Sequence, residues 1–295
     1  MEKNNLFDAK TIAEQIKDEV ATEVRKNLEQ GNRPPHLAAI LVGEDGASKT
    51  YVASKEKDSK NVGFTSSVYR YPETMTEKEL LDVVDFLNKD DEVDGFIIQL
   101  PLPKHINEQK VLQAVNPDKD VDGFHPINVG KMTLGLPTFF PATPYGIMTL
   151  LERSGVETSG KNCVVIGRSN IVGTPMAIML SRNAKNANCT VTLCHSRTKN
   201  LKEITLQADI IIVAIGKPHF LTEDMVKNGA IVVDVGIHRI EDDSEKGYHI
   251  TGDVDFEKVA PKCELITPVP GGVGIMTRTS LLLNTMTAYR KNMQK

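Results

Sequence analysis

At 295 residues, 40% of them hydrophobic and 25% charged, the chain has the make-up of an ordinary globular protein with room for two cores. A net charge of −4 without a long basic stretch excludes the electrostatic footprint of a nucleic-acid binder. No apolar run exceeds the length of Ile210 to Ile215, which is too short to cross a bilayer, so no membrane partner is expected.

The N-terminal M-E-K-N-N-L-F-D has neither an apolar signal core nor the Arg-rich character of a transit peptide, which makes the cytosol the expected address. Residues 8 to 30 predict an amphipathic helix, with Ile12, Ile16, Val20, Val24 and Leu28 four apart and Gly31 as its stop. P-H-L-A-A-I-L-V-G (35–43) predicts a buried strand, followed by a charged helix from Ser48 to Val62. A second strand spans 65–71, and Thr76 with Glu79 three residues on marks a capped helix start. D-G-F-I-I-Q-L (94–100) predicts a third strand and Asn107 to Val115 a further helix. From Val121 to Gly146 four prolines mark a linker with a short helical portion at Val129 to Leu134.

A second series then follows. Strands are expected at 162–167, 189–194, 209–216 and 230–236, with helices after Thr174, Leu201 and Thr222. Ser280 to Tyr289 predicts a last helix that packs back on the first domain. Strands alternating with helices imply parallel, doubly wound α/β sheets. The expected division is residues 1–145 plus a C-terminal helix at 275–295, and 146–274. Cys163, Cys189, Cys194 and Cys263 lack metal-ligand spacing, and His105, His125 and His195 form no ligand set, so no catalytic metal is implied. Cys163 and Cys194 lie in strand-like runs and are read as reduced core thiols.

V-V-I-G-R-S-N-I-V-G-T-P (164–175) joins a buried strand to a helix, where a dinucleotide fold places its phosphate turn. The usual G-x-G-x-x-G is absent. Gly167 permits the tight turn and Gly173 the close approach of helix to sheet, while Arg168 and Ser169 stand in place of a glycine. A plain strand-to-helix connection has the same outline. The next strand ends in C-H-S-R-T (194–198) with no carboxylate before Glu203. An acidic residue there would accept the ribose hydroxyls of NAD, whereas Ser196 and Arg197 offer donors to a ribose phosphate and favour NADP. The same pair also fits a turn that starts a helix.

In the first series Tyr51 and Lys55 lie four apart on one helical face. Their expected place near the helix N-terminus predicts a lysine whose proton is loosened by the macrodipole, fit for acid–base work. By spacing alone, however, the run K-E-K-D-S-K (55–60) reads as a solvated charged face. Gln99 and Leu100 close a buried strand at the sheet edge where ligands gather. Asp122, in D-V-D-G-F-H-P (120–126), offers acceptors for an amidine-like N–H and NH₂ pair, or caps a turn. Pro270, Gly271 and Gly272 open a flexible run that could touch a flat ligand or form an ordinary turn.

Taken together, Y-V-A-S-K (51–55), Q-L-P-L-P (99–103), D-V-D-G-F-H-P-I-N-V-G (120–130), G-R-S-N-I-V-G-T-P (167–175) and T-P-V-P-G-G-V-G (267–274) resemble the bifunctional methylenetetrahydrofolate dehydrogenase/cyclohydrolase family. The resemblance implies two α/β domains with a cleft between them, the second a Rossmann-type NADP-binding domain, in a homodimer of one-carbon metabolism. It further implies that Lys55 moves protons, Tyr51 stacks on the folate, Gln99 hydrogen-bonds near the lysine and Asp122 holds the pterin. Leu100, Pro270, Gly271 and Gly272 would also contact folate, and Gly167, Arg168, Ser169, Gly173, Ser196, Arg197 and Ile237 would line the NADP site. Two residues depart from the family pattern: Ile275 stands where proline is usual, and Ala142 where cysteine is frequent. Two rival functions share the architecture. An NADP-dependent dehydrogenase of a small hydroxy or amino acid would need cations for the substrate carboxylate in place of Asp122. An NADPH-binding redox sensor would need no Tyr51–Lys55–Gln99 set.

Overall fold

A computed structural model describes residues 5–244 and 247–294; the first four residues of the stretch inspected for a signal segment lie outside them. The chain divides into two compact units, one of Glu14–Ala142 with Arg278–Lys295 and one of Met1–Ala13 with Thr143–Thr277. We call them the three-strand and the five-strand unit after their parallel sheets. No helix among the described residues is long and apolar enough to cross a membrane.

The three-strand unit contains most of α1 (Ala9–Glu29), then β1 (His36–Val42), α2 (Gly46–Asn61), β2 (Thr65–Tyr71), α3 (Glu77–Lys89), β3 (Gly95–Ile98), α4 (Glu108–Ala114) and α5 (Pro126–Thr133). β1 is central, in the order β2-β1-β3, and six of its seven residues are buried. That near-continuous apolar run is what a strand of a parallel sheet requires when both its faces are covered. Ile12, Ile16, Val20 and Val24 are buried as the four-residue spacing predicts, but Leu28 is 43% exposed because α1 has reached its last turn. Thr76 and Glu79 form the expected capping box, with Thr76 N donating to Glu79 Oε2 at 2.7 Å. Leu80, Val84 and Leu87 of α3 then pack with Ile40, Phe96 and Ile98 into one core. Each such buried side chain contributes roughly 1.5–3 kcal/mol.

Half of the expected linker at 121–146 is helical. α5 begins at Pro126, earlier than expected, because His125 caps it through Nδ1 and proline suits its first turn. α6 (Ala142–Arg153) was missed, because Pro144 read as a breaker although it sits in a first turn, where no amide is lost.

In the five-strand unit the strands β4 (Asn162–Ile166), β5 (Thr190–Cys194), β6 (Ile210–Val213) and β7 (Ala230–Asp234) appear as expected, each slightly shorter. Between them lie α7 (Gly173–Ser181) and the five-residue α8 (Leu201–Thr205). The helix expected after Thr222 is only a 3-10 turn, Glu223–Met225. Four further elements were not anticipated: β8 (His238–Glu241) and β9 (Tyr248–Thr251), which form an antiparallel hairpin, a short α9 (Phe256–Val259), and β10 (Cys263–Ile266), which joins the sheet. The order β10-β7-β6-β4-β5 is all parallel and reverses direction of growth beside β4. All four cysteines are free and buried. The final helix α10 (Val273–Asn292) is longer than Ser280–Tyr289, and its part from Arg278 onward belongs to the three-strand unit. There Asn284 Nδ2 donates to the carbonyls of Val121 and Phe140 at 2.8 and 2.9 Å.

Candidate functional site

In the three-strand unit, Asp45 caps α2 by accepting from Ser48 N at 2.7 Å. The helix then turns Ser48, Val52, Lys55, Asp58 and Ser59 inward, so a largely polar stripe is buried. Lys55 is only 7% exposed, which removes it from the solvated face that 55–60 seemed to form; Lys57 and Lys60 remain outside. Its Nζ donates to Gln99 Oε1 at 3.3 Å and lies 4.7 Å from the centre of the Tyr51 ring. Gln99 stands just past β3, where its own N–H still bonds Ile40 O and its Nε2 donates to Leu100 O at 2.7 Å. The amide is thereby oriented with Oε1 toward the lysine.

The pKa of Lys55 is lowered, as expected, but not by a helix N-terminus. Lys55 is the tenth residue of α2, beyond the reach of the first-turn dipole. Burial is the main cause, opposed by the Asp122 charge and assisted by that of Arg278. Arg278 is held by Asp58, whose two oxygens accept from Arg278 Nε at 2.7 Å and Lys17 Nζ at 2.6 Å. Nothing in the local pattern marks Asp58 or Arg278: they are 220 residues apart and meet only in the fold.

Asp122 is half-buried, and burial raises its pKa while Lys55 lowers it. Its backbone oxygen accepts from Ala142 N at 3.2 Å, but its carboxylate accepts no hydrogen bond from any described residue. The turn is stabilised by Asp120 instead, which takes Phe124 N, His125 N and Asn128 Nδ2 at 3.2, 2.8 and 2.8 Å. Gly123, at φ +74°, lets this turn lie against Phe140 and Pro141, where a Cβ would come within 2.6 Å of backbone. Asp122 is thus a rigidly placed acceptor pair with its lone pairs unspent.

In the five-strand unit, β4 ends at a turn whose Gly167 has φ +120° and lies directly against Ala214 O. Gly173 packs beneath Gly167 O, with no room for a side chain. Ser169 closes the turn, its Oγ accepting from Val172 N and Gly173 N at 3.2 and 3.4 Å as α7 opens. Beside the turn is a cavity of about 540 Å³, lined among others by Gly167, Arg168, Ser169, His195, Ser196 and Lys217. Among the described residues no Asp or Glu lines it. Donors, cations and a helix N-terminus around a cavity of this size fit a phosphorylated dinucleotide. Ser196 and Arg197 form a turn and not a cap, with His195 N donating to Thr198 Oγ1 and Arg197 N to His195 Nδ1.

Arg197 and Ile237 are both exposed and outside the cavity lining. Pro270 follows a cis peptide, Gly271 has φ +107°, and Gly272 O accepts from Ile275 N, so 270–272 is a shaped turn leading into α10. Ile275 sits in the first turn of that helix, and Ala142 is buried. Sequence reasoning missed Asp234 and Asp253, both buried behind the cavity wall. Their only local signal was the unusual density of acidic and glycine residues in D-V-G (234–236) and T-G-D-V-D (251–255).

The fold and its cavity define a two-unit α/β enzyme with a Rossmann-like dinucleotide-binding unit. Comparisons with known proteins give the rest. Residues 7–122 match the model of the tetrahydrofolate dehydrogenase/cyclohydrolase catalytic domain, and residues 141–293 that of the family's NAD(P)-binding domain. The bifunctional protein FolD of Cytophaga hutchinsonii is 61% identical over 96% of this chain and 98% of its own. The FolD methylenetetrahydrofolate dehydrogenase/cyclohydrolase structure from Campylobacter jejuni is 49% identical, with a TM-score of 0.91 over 97% of this chain and 98% of that one. A Trypanosoma brucei methylenetetrahydrofolate dehydrogenase-cyclohydrolase, solved with NADP cofactor and inhibitor, is 34% identical with a TM-score of 0.94 over the whole of both chains. The chain belongs to the tetrahydrofolate dehydrogenase/cyclohydrolase family and is a bifunctional enzyme of folate chemistry.

Proposed function

We propose that the three-strand unit binds methylenetetrahydrofolate, that the five-strand unit binds NADP⁺, and that Lys55 is the proton carrier of the hydrolytic step. The observation that carries this reading is the buried Lys55 ammonium, hydrogen-bonded only weakly to Gln99 at 3.3 Å and stacked on Tyr51 at 4.7 Å, in the same unit as the unbonded Asp122 carboxylate.

NADP⁺ held by the Gly167 turn, Arg168 and Ser196 would supply the hydride acceptor for oxidation of the methylene carbon to the methenyl level. Tyr51 offers its ring face to the folate and Asp122 accepts the N–H and NH₂ of the pterin, which fixes the carbon in place. Lys55 in its neutral form then takes a proton from the water that adds to the methenyl carbon. Burial lowers the pKa of Lys55 and so favours that neutral form over the ammonium. The same ammonium returns that proton to the ring nitrogen as the C–N bond breaks, and the added hydroxyl loses its remaining proton to solvent as it becomes the formyl carbonyl. Gln99, pinned to Leu100 O, keeps Nζ aimed. Arg168 and Ser196 hold the ribose phosphate that distinguishes NADP from NAD, and the absence of a lining carboxylate favours that anion.

An absorbance assay with methylenetetrahydrofolate and either NADP⁺ or NAD⁺ tests the reading directly. Turnover with NADP⁺ and release of formyltetrahydrofolate support it; equal efficiency with NAD⁺ refutes the phosphate assignment. The resemblance also supports a cytosolic homodimer, which a monomeric mass by light scattering would refute.

A further inference from the structure

Behind the cofactor cavity lies a buried carboxylate pair that the proposed chemistry does not use. β6 ends at Val213, and the segment that follows supplies Ala214, Ile215 and Lys217 to the cavity wall. The N–H groups of Ile215, Gly216 and Lys217 all point away from the cavity to the carboxylate of Asp253, at 2.8, 3.0 and 2.8 Å. His238 Nε2 adds a fourth donor at 2.7 Å. Asp253 is itself fully buried, and its own N–H donates to Asp234 Oδ1 at 2.9 Å. Asp234 also takes Gly236 N and Val254 N, both at 2.9 Å. The packing is tight: a Cβ on Gly252 would collide with the Asp234 carboxylate, and one on Gly236 with Asp253.

Three successive N–H groups converging on one point form an anion nest, the device that elsewhere holds a phosphate. Here the chain's own carboxylate fills it. The wall it holds is also the surface on which Gly167 rests, since Gly167 lies against Ala214 O. A shift of residues 214–217 therefore moves the phosphate turn with it.

We propose that Asp253 is a positioning residue of the cofactor site: it locks residues 214–217 in the register that the Gly167 turn requires, and His238 fixes the orientation of its carboxylate. The proposal rests on the reading of this cavity as the NADP site. Asp253→Asn keeps the shape but turns an NH₂ toward backbone donors. The proposed Lys55 chemistry uses no residue of the five-strand unit, so the hydrolysis of methenyltetrahydrofolate without cofactor should persist.

The test is NADPH binding, followed by fluorescence titration, beside cofactor-free cyclohydrolase rate and melting temperature. In Asp253→Asn the NADPH dissociation constant should rise about tenfold or more, the effect of losing one charge-assisted hydrogen bond. Cyclohydrolase rate should stay within about twofold, a split that general destabilisation would not give. His238→Leu, which removes one donor and leaves three, should raise the dissociation constant roughly threefold, and His238→Gln should restore it. If Asp253→Asn does not fold, the histidine pair decides. Variants that bind NADPH as the parent does overturn the proposal alone, whereas a parent that binds no NADPH overturns the cofactor reading with it.

Discussion

In the five-strand unit the carboxylates of Asp234 and Asp253 together accept seven hydrogen bonds, six of them from backbone N–H groups. In the three-strand unit the Asp122 carboxylate accepts none from the described residues, and Lys55 makes a single long one. Asp234, Asp253 and Lys55 are buried and Asp122 is half-buried, yet the first pair is richly hydrogen-bonded and the second is not. A buried charge with every valence filled stabilises one backbone arrangement and can do little else. A buried charge with open valences costs stability, and the cost is recovered only when a ligand completes it.

The largest expected effect lies on the unsaturated side. Lys55→Met keeps the length of the side chain but cannot carry a proton, so methenyltetrahydrofolate hydrolysis should fall by about 10²–10⁴-fold toward the spontaneous rate while folate still binds. Parental turnover in the variant would break the comparison outright. Because Lys55 is buried at a cost in its charged form, the same variant should melt at the parental temperature or above it, as differential scanning calorimetry would register.

Asp122→Asn follows in size. The amide retains one acceptor and loses the charge, and a charged hydrogen bond of this kind is worth roughly 1.5–3 kcal/mol. Folate dissociation constants should therefore rise by about tenfold or more, measured by titration. Equal affinities would mean that Asp122, like Asp120, only shapes the turn.

A cofactor test probes the five-strand unit. Ser196→Asp places a carboxylate in a cavity that otherwise has none and should lower the ratio of kcat/KM for NADP⁺ over NAD⁺ about tenfold. An unchanged ratio here and in Arg168→Ala would place the ribose phosphate elsewhere.

The smallest effect is in pH dependence. Burial pushes the carboxyls of Asp120 and Asp234 up to about 6 from an ordinary 3.8. Between about pH 4 and 6 the folded chain then holds protons that the unfolded chain has released, so each group's contribution to stability falls as pH rises through that window. Its slope is at most about 1.4 kcal/mol per pH unit. Denaturant titrations of Asp234→Asn across this range should show a stability difference from the parent that changes with pH; a constant difference would mean that Asp234 stays ionised throughout.

Much of the molecule was legible in the residues, and the reasons are local. The apolar runs of β1, β4, β6 and β7, the capping box at Thr76 and the glycine turn at 167 each state their structure within a few positions, because backbone bonding and burial act at that range. The motif resemblance named Lys55, Gln99 and Asp122. Spacing alone reads Lys55 as a solvated surface charge, and the lowered pKa expected of it was attributed to a helix end that lies too far away. Its burial depends on strands and helices distant in the chain. The same holds for Arg278 on Asp58, and for Asp253 beneath residues 215–217, 36 to 38 positions away. Periodicity determines which faces are apolar and where turns fall. Which polar groups are left unsatisfied inside is decided only when remote segments meet, since desolvation and hydrogen bonding depend on neighbours in space and not in sequence.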